Sequence, residues 1–303
     1  MINLDQELVV GLDIGGTQLK FGFVSGQGEV LNFKVKPIER TDEGNADIHS
    51  MVETIAHFLQ EYKGSRKISS LGVSTPGVID TDQGIVKTAV NLGWGNLPLR
   101  RLLEERLGLP VSVINDAEAG ALGEYHFGSG RHKDRFLFVS LGTGIGASLC
   151  IDGRIYKGRD NTIINLGHNC IFPNGRPCEC GNRGCLEKYV SGPALSAQGG
   201  KDAVLLYEAA GQGDANARQI FQDAGQVLGM ALVSCLNLFG VDTILVGGGL
   251  SQSGPYLMEP ARKIIGERYK LKRDWEVILA ANPLKAGMLG AAVMAFNDLK
   301  ERG

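Results

Sequence analysis

The chain has 303 residues, enough for two domains of ordinary size, each burying its own core. Hydrophobic residues make up 43%, charged residues 21%, and the formal net charge is -2, so no basic footprint calls for a nucleic-acid partner. The opening MINLDQELVVGLD carries acids where a leader has a basic region, and its apolar run is too short for a signal peptide or a membrane span, so a cytoplasmic protein is expected. Glycine is the compositional anomaly: 43 of 303 residues, near double the usual share of about 7%, with no collagen period, which implies many tight backbone approaches. Of six cysteines, three cluster between 178 and 185; Cys150, Cys170 and Cys235 lie scattered in apolar surroundings and read as core residues of a reducing compartment.

Leu8 to Ile14, Leu19 to Val24 and Glu29 to Val35 read as three strands of a meander, the first ending in DIGGT at Asp13 to Thr17. Gly15 and Gly16 supply backbone angles closed to other residues and let a phosphate approach main-chain N–H groups, with Asp13 available to a hydrated magnesium and Thr17 to a phosphate oxygen. A plain hairpin turn preceded by an aspartate fits these five residues as well. Ile48 to Tyr62 has helical spacing, with Gly64 as its stop. Ile68 to Ser74 is a strand running into TPG, Leu97 to Leu107 a second helix and Val111 to Ile114 another strand. There NDAEAGALGE opens a helix with Asn115 and Asp116 at the strand's carboxyl end, the edge where open α/β sheets bind ligands.

From Phe136 the pattern restarts. LFVSLGTGIGASLCIDGRIYKG gives strand, glycine turn, strand, turn and strand, so Gly142, Thr143, Gly144 and Gly146 mirror the DIGGT turn as a weak internal repeat. Gly167 to Glu187 then packs His168, Cys178, Cys180 and Cys185 into one loop stiffened by Pro173 and Pro177 and turned by Gly175, Gly181 and Gly184. Four soft ligands in one short loop have the composition of a closed tetrahedral zinc site, structural because no coordination position stays open. The chemistry is then expected beside the metal, with Glu187 the first acid past the last ligand. Ala217 to Leu238 is an amphipathic helix with Ile220, Ala224, Val227, Ala231, Cys235 and Leu238 on its core face and Gly240 as its cap. Val241 to Val246 is a buried strand ending in Gly247 to Gly249, where a nucleotide's base or ribose can lie against bare backbone. Pro255 to Tyr269 and Pro283 to Phe296 are further helices, and AGMLGAA in the last points to close helix packing.

DIGGT, STPG, NDAEAGALGE, LGTGIG, the Gly-His with CECGNRGCLE, and LVGGGL together resemble the ROK family of sugar kinases within the actin-like ATPase superfamily, in order and over nearly the whole chain. The resemblance implies a two-lobed α/β fold of the ribonuclease H-like type with duplicated βββαβαβα units. The expected division is a small lobe of residues 1–117, joined by a C-terminal helix at 285–303, and a larger lobe of 118–284 with the zinc knuckle at 168–187. It implies phosphorylation of a hexose or N-acetylhexosamine at the C6 hydroxyl, with ATP and catalytic Mg2+ in the cleft between lobes, a structural Zn2+, and a homo-oligomer, dimer or tetramer, without membrane or nucleic-acid partners.

Carried onto this sequence, the resemblance makes Asp116 the general base and places Gly77, Asn91, Asn115, Asp116, Asn165, His168 and Glu187 on the sugar. Asp13, Gly15, Gly16, Thr17, Thr143 and Gly144 fall to magnesium and phosphates, and Gly247 and Gly248 to the nucleoside. A helix N-cap is the plainer role for Asp116. The family pattern before the zinc histidine is Glu-x-Gly-His, whereas this chain has Asn165, Leu166, Gly167 and His168, an amide in place of a carboxylate that accepts hydrogen bonds from hydroxyls near C1 and C2. ROK-like repressors carry an added DNA-binding domain, which the few residues before the first strand and the near-neutral charge speak against. A sugar sensor without catalysis is the alternative function.

Overall fold

The computed structural model describes residues 7–158, 164–271 and 274–302. Along the chain the elements are β1 (Glu7–Ile14), β2 (Gln18–Ser25), β3 (Val30–Pro37), α1 (Ile48–Gln60), β4 (Lys67–Thr75), β5 (Val78–Asp80), β6 (Ile85–Ala89), β7 (Trp94–Leu97), α2 (Leu99–Leu107), β8 (Val111–Asn115) and α3 (Asp116–Phe127). Then come β9 (Arg135–Leu141), β10 (Ile145–Ile151), β11 (Arg154–Ile155), α4 (Glu187–Val190), α5 (Gly192–Gly199), α6 (Ala203–Gly211), α7 (Ala215–Phe239), β12 (Thr243–Gly247), α8 (Pro255–Arg268), β13 (Glu276–Leu279) and α9 (Ala286–Arg302). The chain divides into two units: Met1–His132 with Gly153–Ile163 and Lys285–Gly303, and Lys133–Asp152 with Ile164–Leu284. The boundary therefore falls at 132 and not at the expected 117, because α3 packs against α9 within the first unit. Gly303, the end of the expected C-terminal helix, lies outside the described residues.

In the first unit the sheet order is β3-β2-β1-β4-β8, antiparallel from β3 to β1 and parallel from β1 through β4 to β8. The period of two buries both faces of β1. Leu8, Val10, Leu12 and Ile14 join α1 and α2 in one core through Met51, Ile55, Phe58, Leu99 and Leu103. Val9, on the opposite face, meets Met288, Leu289, Ala292 and Phe296 of α9. Asp47 caps α1 by accepting from the amides of His49 and Ser50. Leu97 ends a strand and not a helix: Pro98 lies at the N-cap of α2, and β5, β6 and β7 form a small antiparallel sheet that the sequence reading passed over. That reading also lacked α4, α5, α6 and β13.

The second unit's strands run in the order β10-β9-β12-β13, with β9 and β10 antiparallel and β9, β12 and β13 parallel. Its core is formed by Leu137, Val139, Ile244 and Val246 against Ile220, Phe221, Leu228 and Leu232 of α7 and Leu257, Ala261 and Ile265 of α8. Gly240 stops α7 in the left-handed conformation, as expected, but Leu238 is 78% exposed and faces away from the core stripe. Cys150 and Cys235 are buried as read from the sequence; Cys170 is exposed, since it sits at the mouth of the knuckle, its backbone bridged to Cys185. Among the described residues no helix is long and apolar enough to cross a membrane.

The small residues of AGMLGAA do serve close packing. A Cβ on Gly290 would lie 1.7 Å from the carbonyl oxygen of Ala119 in α3, and one on Gly72 of β4 would lie 1.9 Å from that of Ala291. Both obstacles are main chain, which no rotamer change relieves. Gly290→Ala is therefore expected to destabilise the protein by roughly 2 to 4 kcal/mol, the overpacking cost outweighing the roughly 1 kcal/mol that alanine gains over glycine within a helix. Urea unfolding midpoints of the two proteins check it; an unchanged or raised midpoint would mean that α9 does not press on α3.

Candidate functional site

In the first unit three adjacent parallel strands end side by side. The register sets Asp13 of β1 opposite Ser74 of β4, and Thr75 of β4 opposite Asn115 of β8, so Asp13, Ser74 and the Asn115-Asp116 pair share the carboxyl edge of the sheet. Ser74 Oγ donates to Asp13 Oδ1 at 2.6 Å, and Lys20, paired with Asp13 across β1 and β2, brings its Nζ to 3.6 Å from Oδ2. A Cβ on Gly287 would stand 2.7 Å from Asp13 Oδ1, which puts the carboxylate against the first turn of α9, where the helix dipole favours negative charge.

The cap of α3 is Asn115 and not Asp116. Asn115 Oδ1 accepts from the amides of Ala117 (2.9 Å) and Glu118 (3.4 Å), while its Nδ2 donates to the carbonyl of Gly77 at 3.0 Å. Gly77 holds that carbonyl in place with φ at 108°, a conformation closed to most side chains. The Asn115 side chain also hydrogen-bonds the neighbouring Asp116 carboxylate. Asp116 Oδ1 accepts from the Ala117 amide at 2.9 Å. The side chain keeps partial solvent access, yet burial, followed by the negative charge of Asp13, raises its pKa from 3.8 to about 6; hydrogen bonds to backbone amides and Asn115 oppose the rise. A carboxylate with a pKa raised to about 6 that keeps partial solvent access is suited to accept a proton.

The DIGGT turn closes by Gly15 N donating to Gln18 O at 2.9 Å. Neither Gly15 nor Gly16 has the left-handed φ expected of them; the turn is an ordinary hairpin connection and leaves Thr17 exposed. Asn91 lies exposed in the connection between β6 and β7.

In the second unit, Thr143 is exposed at the tip of the hairpin between β9 and β10, closed by Gly142 N to Gly144 O at 3.0 Å and tied to the start of α5 by Gly192 N to Gly142 O at 2.8 Å. The bare backbone at the end of β12 is in part already used. A Cβ on Gly247 would meet the Phe138 ring at 2.8 Å and one on Gly248 the Leu141 carbonyl at 2.3 Å, whereas one on Gly249 would meet nothing within 4 Å. Of the three glycines, Gly249 is the one with open space above it.

The knuckle draws its four residues together. A ring nitrogen of His168 and the thiols of Cys178, Cys180 and Cys185 all lie within 4.8 Å of one another, with Cys178 Sγ 3.7 Å from His168 Nδ1 and Cys180 Sγ 3.7 Å from Cys185 Sγ. Tetrahedral zinc with Zn–S near 2.3 Å has edges of about 3.8 Å between sulfurs, and about 3.6 Å between sulfur and nitrogen, so the donor set fits that metal. The sulfurs are free thiols and stand too far apart for the roughly 2.05 Å of a disulfide. Tyr189 fastens the loop, its hydroxyl accepting from the Arg176 amide at 2.8 Å and its ring lying under the Arg176 guanidinium at 4.8 Å. Glu187, first residue of α4, brings Oε1 to 3.3 Å from His168 Nδ1 and 3.5 Å from Cys178 Sγ. Asn165 is exposed at the start of the short 3-10 turn that carries His168, and its side chain makes no capping hydrogen bond.

Ser74 and Arg40 are the side chains at these loops that sequence reasoning missed. Ser74 stood in view within STPG; the signal for Arg40, a cation after the third strand, is too common to single out. The ROK family profile matches residues 9–298. The glucokinase of Thermotoga maritima is 34% identical over 317 residues, covering 97% of this chain and 98% of that protein. The crystal structure of a ROK family glucokinase from Streptomyces griseus in complex with glucose and AMPPNP is 32% identical, with a TM-score of 0.83 over 96% of this chain and 99% of that one. The xylose repressor of Bacillus subtilis is 30% identical over 302 residues, covering 96% of this chain and 78% of that protein.

The raised pKa of Asp116 has a sign for stability. The fold favours the protonated carboxyl, so its contribution is full below about 3.8 and is lost as pH rises through about 6; at neutral pH the ionised group costs about 1 to 3 kcal/mol. Asp116→Asn is expected to raise the unfolding free energy at pH 8 by that amount and to lose the advantage towards pH 4. Equal stability of the two proteins at pH 8 would show that the carboxylate is not strained by its surroundings.

Proposed function

The chain belongs to the ROK family, and on that footing we propose that it is an ATP-dependent sugar kinase, transferring the γ-phosphoryl group to the C6 hydroxyl of a hexose or N-acetylhexosamine and releasing ADP. The observation that carries this reading is Asp116, a carboxylate tuned to about 6 at the carboxyl edge of the first sheet, beside Asp13. Asp116 accepts the proton of the attacking hydroxyl. Asn115, Gly77 and Asn91 orient the sugar, and the hydrogen bond from Asn115 to the Gly77 carbonyl keeps two of these in one rigid piece. Asp13, oriented by Ser74, is the residue that would hold a hydrated Mg2+, and Gly15, Gly16 and Thr17 offer main-chain and hydroxyl groups to phosphate oxygens. When bound, the magnesium ion neutralises charge on the transferring phosphoryl group.

In the second unit Thr143 and Gly144 are assigned to phosphates, Gly247 and Gly248 to the nucleoside, with Gly249 the better candidate for direct contact on grounds of space. His168, Cys178, Cys180 and Cys185 hold one structural Zn2+; its donor distances support this, and in a closed site of this kind the metal supplies folding free energy. Asn165, His168 and Glu187 face sugar hydroxyls. With an amide at 165, able to donate as well as accept, the enzyme favours an N-acetylhexosamine or a C2 variant over glucose. Similarity to a repressor leaves a second reading, a sugar sensor without turnover, and Asp116 argues against it, since a sensor needs no proton acceptor.

A coupled ATPase screen over hexoses and N-acetylhexosamines tests the proposal. Wild-type protein is expected to turn over at least one sugar with kcat/KM falling as pH drops through about 6, and Asp116→Asn to lose about 10²-fold or more in kcat while still binding ATP. Asn165→Glu is expected to shift the ratio of glucose to N-acetylhexosamine kcat/KM by roughly 10- to 150-fold, the size of one hydrogen bond to a charged group. No turnover of any sugar would favour the sensor, and a ratio changed by less than about threefold would remove position 165 from specificity.

Metal analysis addresses the knuckle separately: about one equivalent of zinc per chain is expected, and Cys178→Ser should lower both zinc content and melting temperature. Less than roughly half an equivalent, with the variant as stable as wild type, would leave the four residues as a thiol cluster.

A further inference from the structure

Arg40 is exposed, lies outside every helix and strand of the first unit, and has three hydrogen-bond acceptors, all main-chain carbonyls. Its Nη1 donates to Gly44 O at 2.7 Å, closing the loop that Arg40 itself begins. Its Nη2 divides two hydrogens between Gly16 O at 2.8 Å and Asn91 O at 3.3 Å, residues 24 and 51 positions away in sequence. Gly16 belongs to the DIGGT turn and Asn91 to the connection between β6 and β7. One guanidinium thus joins the two loops to which the proposed function assigns phosphate and sugar.

The loop carrying Arg40 is secured independently of this side chain. Ile38 N donates to Thr17 O at 2.9 Å, Ala46 N to Leu92 O at 2.8 Å, and the Trp94 indole to Ala46 O at 2.9 Å. Loss of the guanidinium leaves these bonds in place, so the loop keeps its position and only the hold on Gly16 O, Asn91 O and Gly44 O is released. The consequence lies in the planarity of the peptide unit. The Gly16 C=O and the Thr17 N–H belong to one rigid trans amide and point in opposite directions, so gripping the oxygen aims the N–H away from Arg40. No described residue accepts from that N–H. A cation on the carbonyl also polarises the amide and strengthens its N–H as a donor.

We infer that Arg40 is a positioning residue for the transfer reaction: it pins the Gly16–Thr17 peptide so that the Thr17 N–H is presented to a phosphate oxygen, and it ties that peptide to the Asn91 loop on the sugar side. The inference rests on the kinase reading for its substrates, but the nucleotide half stands apart from turnover. Arg40→Met keeps the length and packing of the stem and removes the fork; Arg40→Lys keeps the charge as a single point. Calorimetric binding of a non-hydrolysable ATP analogue with magnesium is measured on the full chain, alongside KM for ATP and for the sugar, and melting temperature.

Arg40→Met is expected to weaken the analogue about 3- to 10-fold, to raise the KM for ATP in parallel and the sugar KM by a smaller factor, and to keep the melting temperature within a few degrees. Arg40→Lys should recover part of the loss. Analogue affinity within twofold of wild type in folded Arg40→Met overturns the inference, and if that variant does not fold, wild-type affinity in Arg40→Lys overturns it equally. Absence of sugar turnover in wild-type protein sinks the kinase reading while leaving the analogue measurement to decide on Arg40.

Discussion

Contact of main chain on main chain, open only where side chains are missing, fixes the first unit. Helix α9 lies against β4 at Gly72 and against α3 at its own Gly290, each approach so close that a single methyl group would strike a carbonyl. The same helix brings Met288 onto β1 at Gly11 and sets Gly287, in its first turn, beside the Asp13 carboxylate. Strand, helix and charged group are therefore set by one packing interface with no slack for rotamers to take up. The position of Asp13 relative to the end of β8 follows from it, and with that position the charge environment of Asp116.

Two carboxylates at one sheet edge raise each other's energy when both are ionised, and the protein tolerates this at the carboxyl ends of β1 and β8 for a reason that the local bonds make visible. Asp13 has Ser74, Lys20 and the start of α9 to stabilise its charge. Asp116 has neutral donors alone, backbone amides and Asn115, and they do not outweigh its burial and the charge of Asp13. Asymmetry of this kind leaves Asp116 as the carboxylate that exchanges a proton near neutrality. Capping of α3 is delegated to Asn115, which frees its neighbour from the structural task that an aspartate at a helix start usually performs.

Elements whose cause is local were legible in the sequence. The alternation of Leu8 to Ile14, the Gly240 stop of α7 and the four soft ligands of the knuckle all express themselves within a few residues. What stayed hidden depends on partners distant in sequence. Whether Asn115 or Asp116 caps α3 turns on the Gly77 carbonyl, 38 residues earlier. Leu238 fits the helical spacing of α7 but faces solvent, while its neighbours Leu236 and Phe239 turn to the core. Gly247 and Gly248 were read as open to a ligand, and Phe138 and Leu141 of β9 occupy the space their missing side chains provide. Val78 to Leu97 escaped notice because its three strands are short and rich in turn residues, with no period long enough to register.

The first unit is discontinuous: its sheet is complete by His132, but the helix that covers one face of that sheet begins only past Lys285. During synthesis at about 5 to 20 residues per second, the glycine-bearing face of β1 and β4 waits roughly ten to thirty seconds, while the whole second unit is made, before α9 arrives to cover it. For that interval Val9 and Val24 have no apolar partner from α9, although both are fully buried in the finished fold. The nascent chain is thus most exposed to sticking and to chaperone capture on the very surface that later allows no error of fit, and translation through the second unit sets how long that exposure lasts.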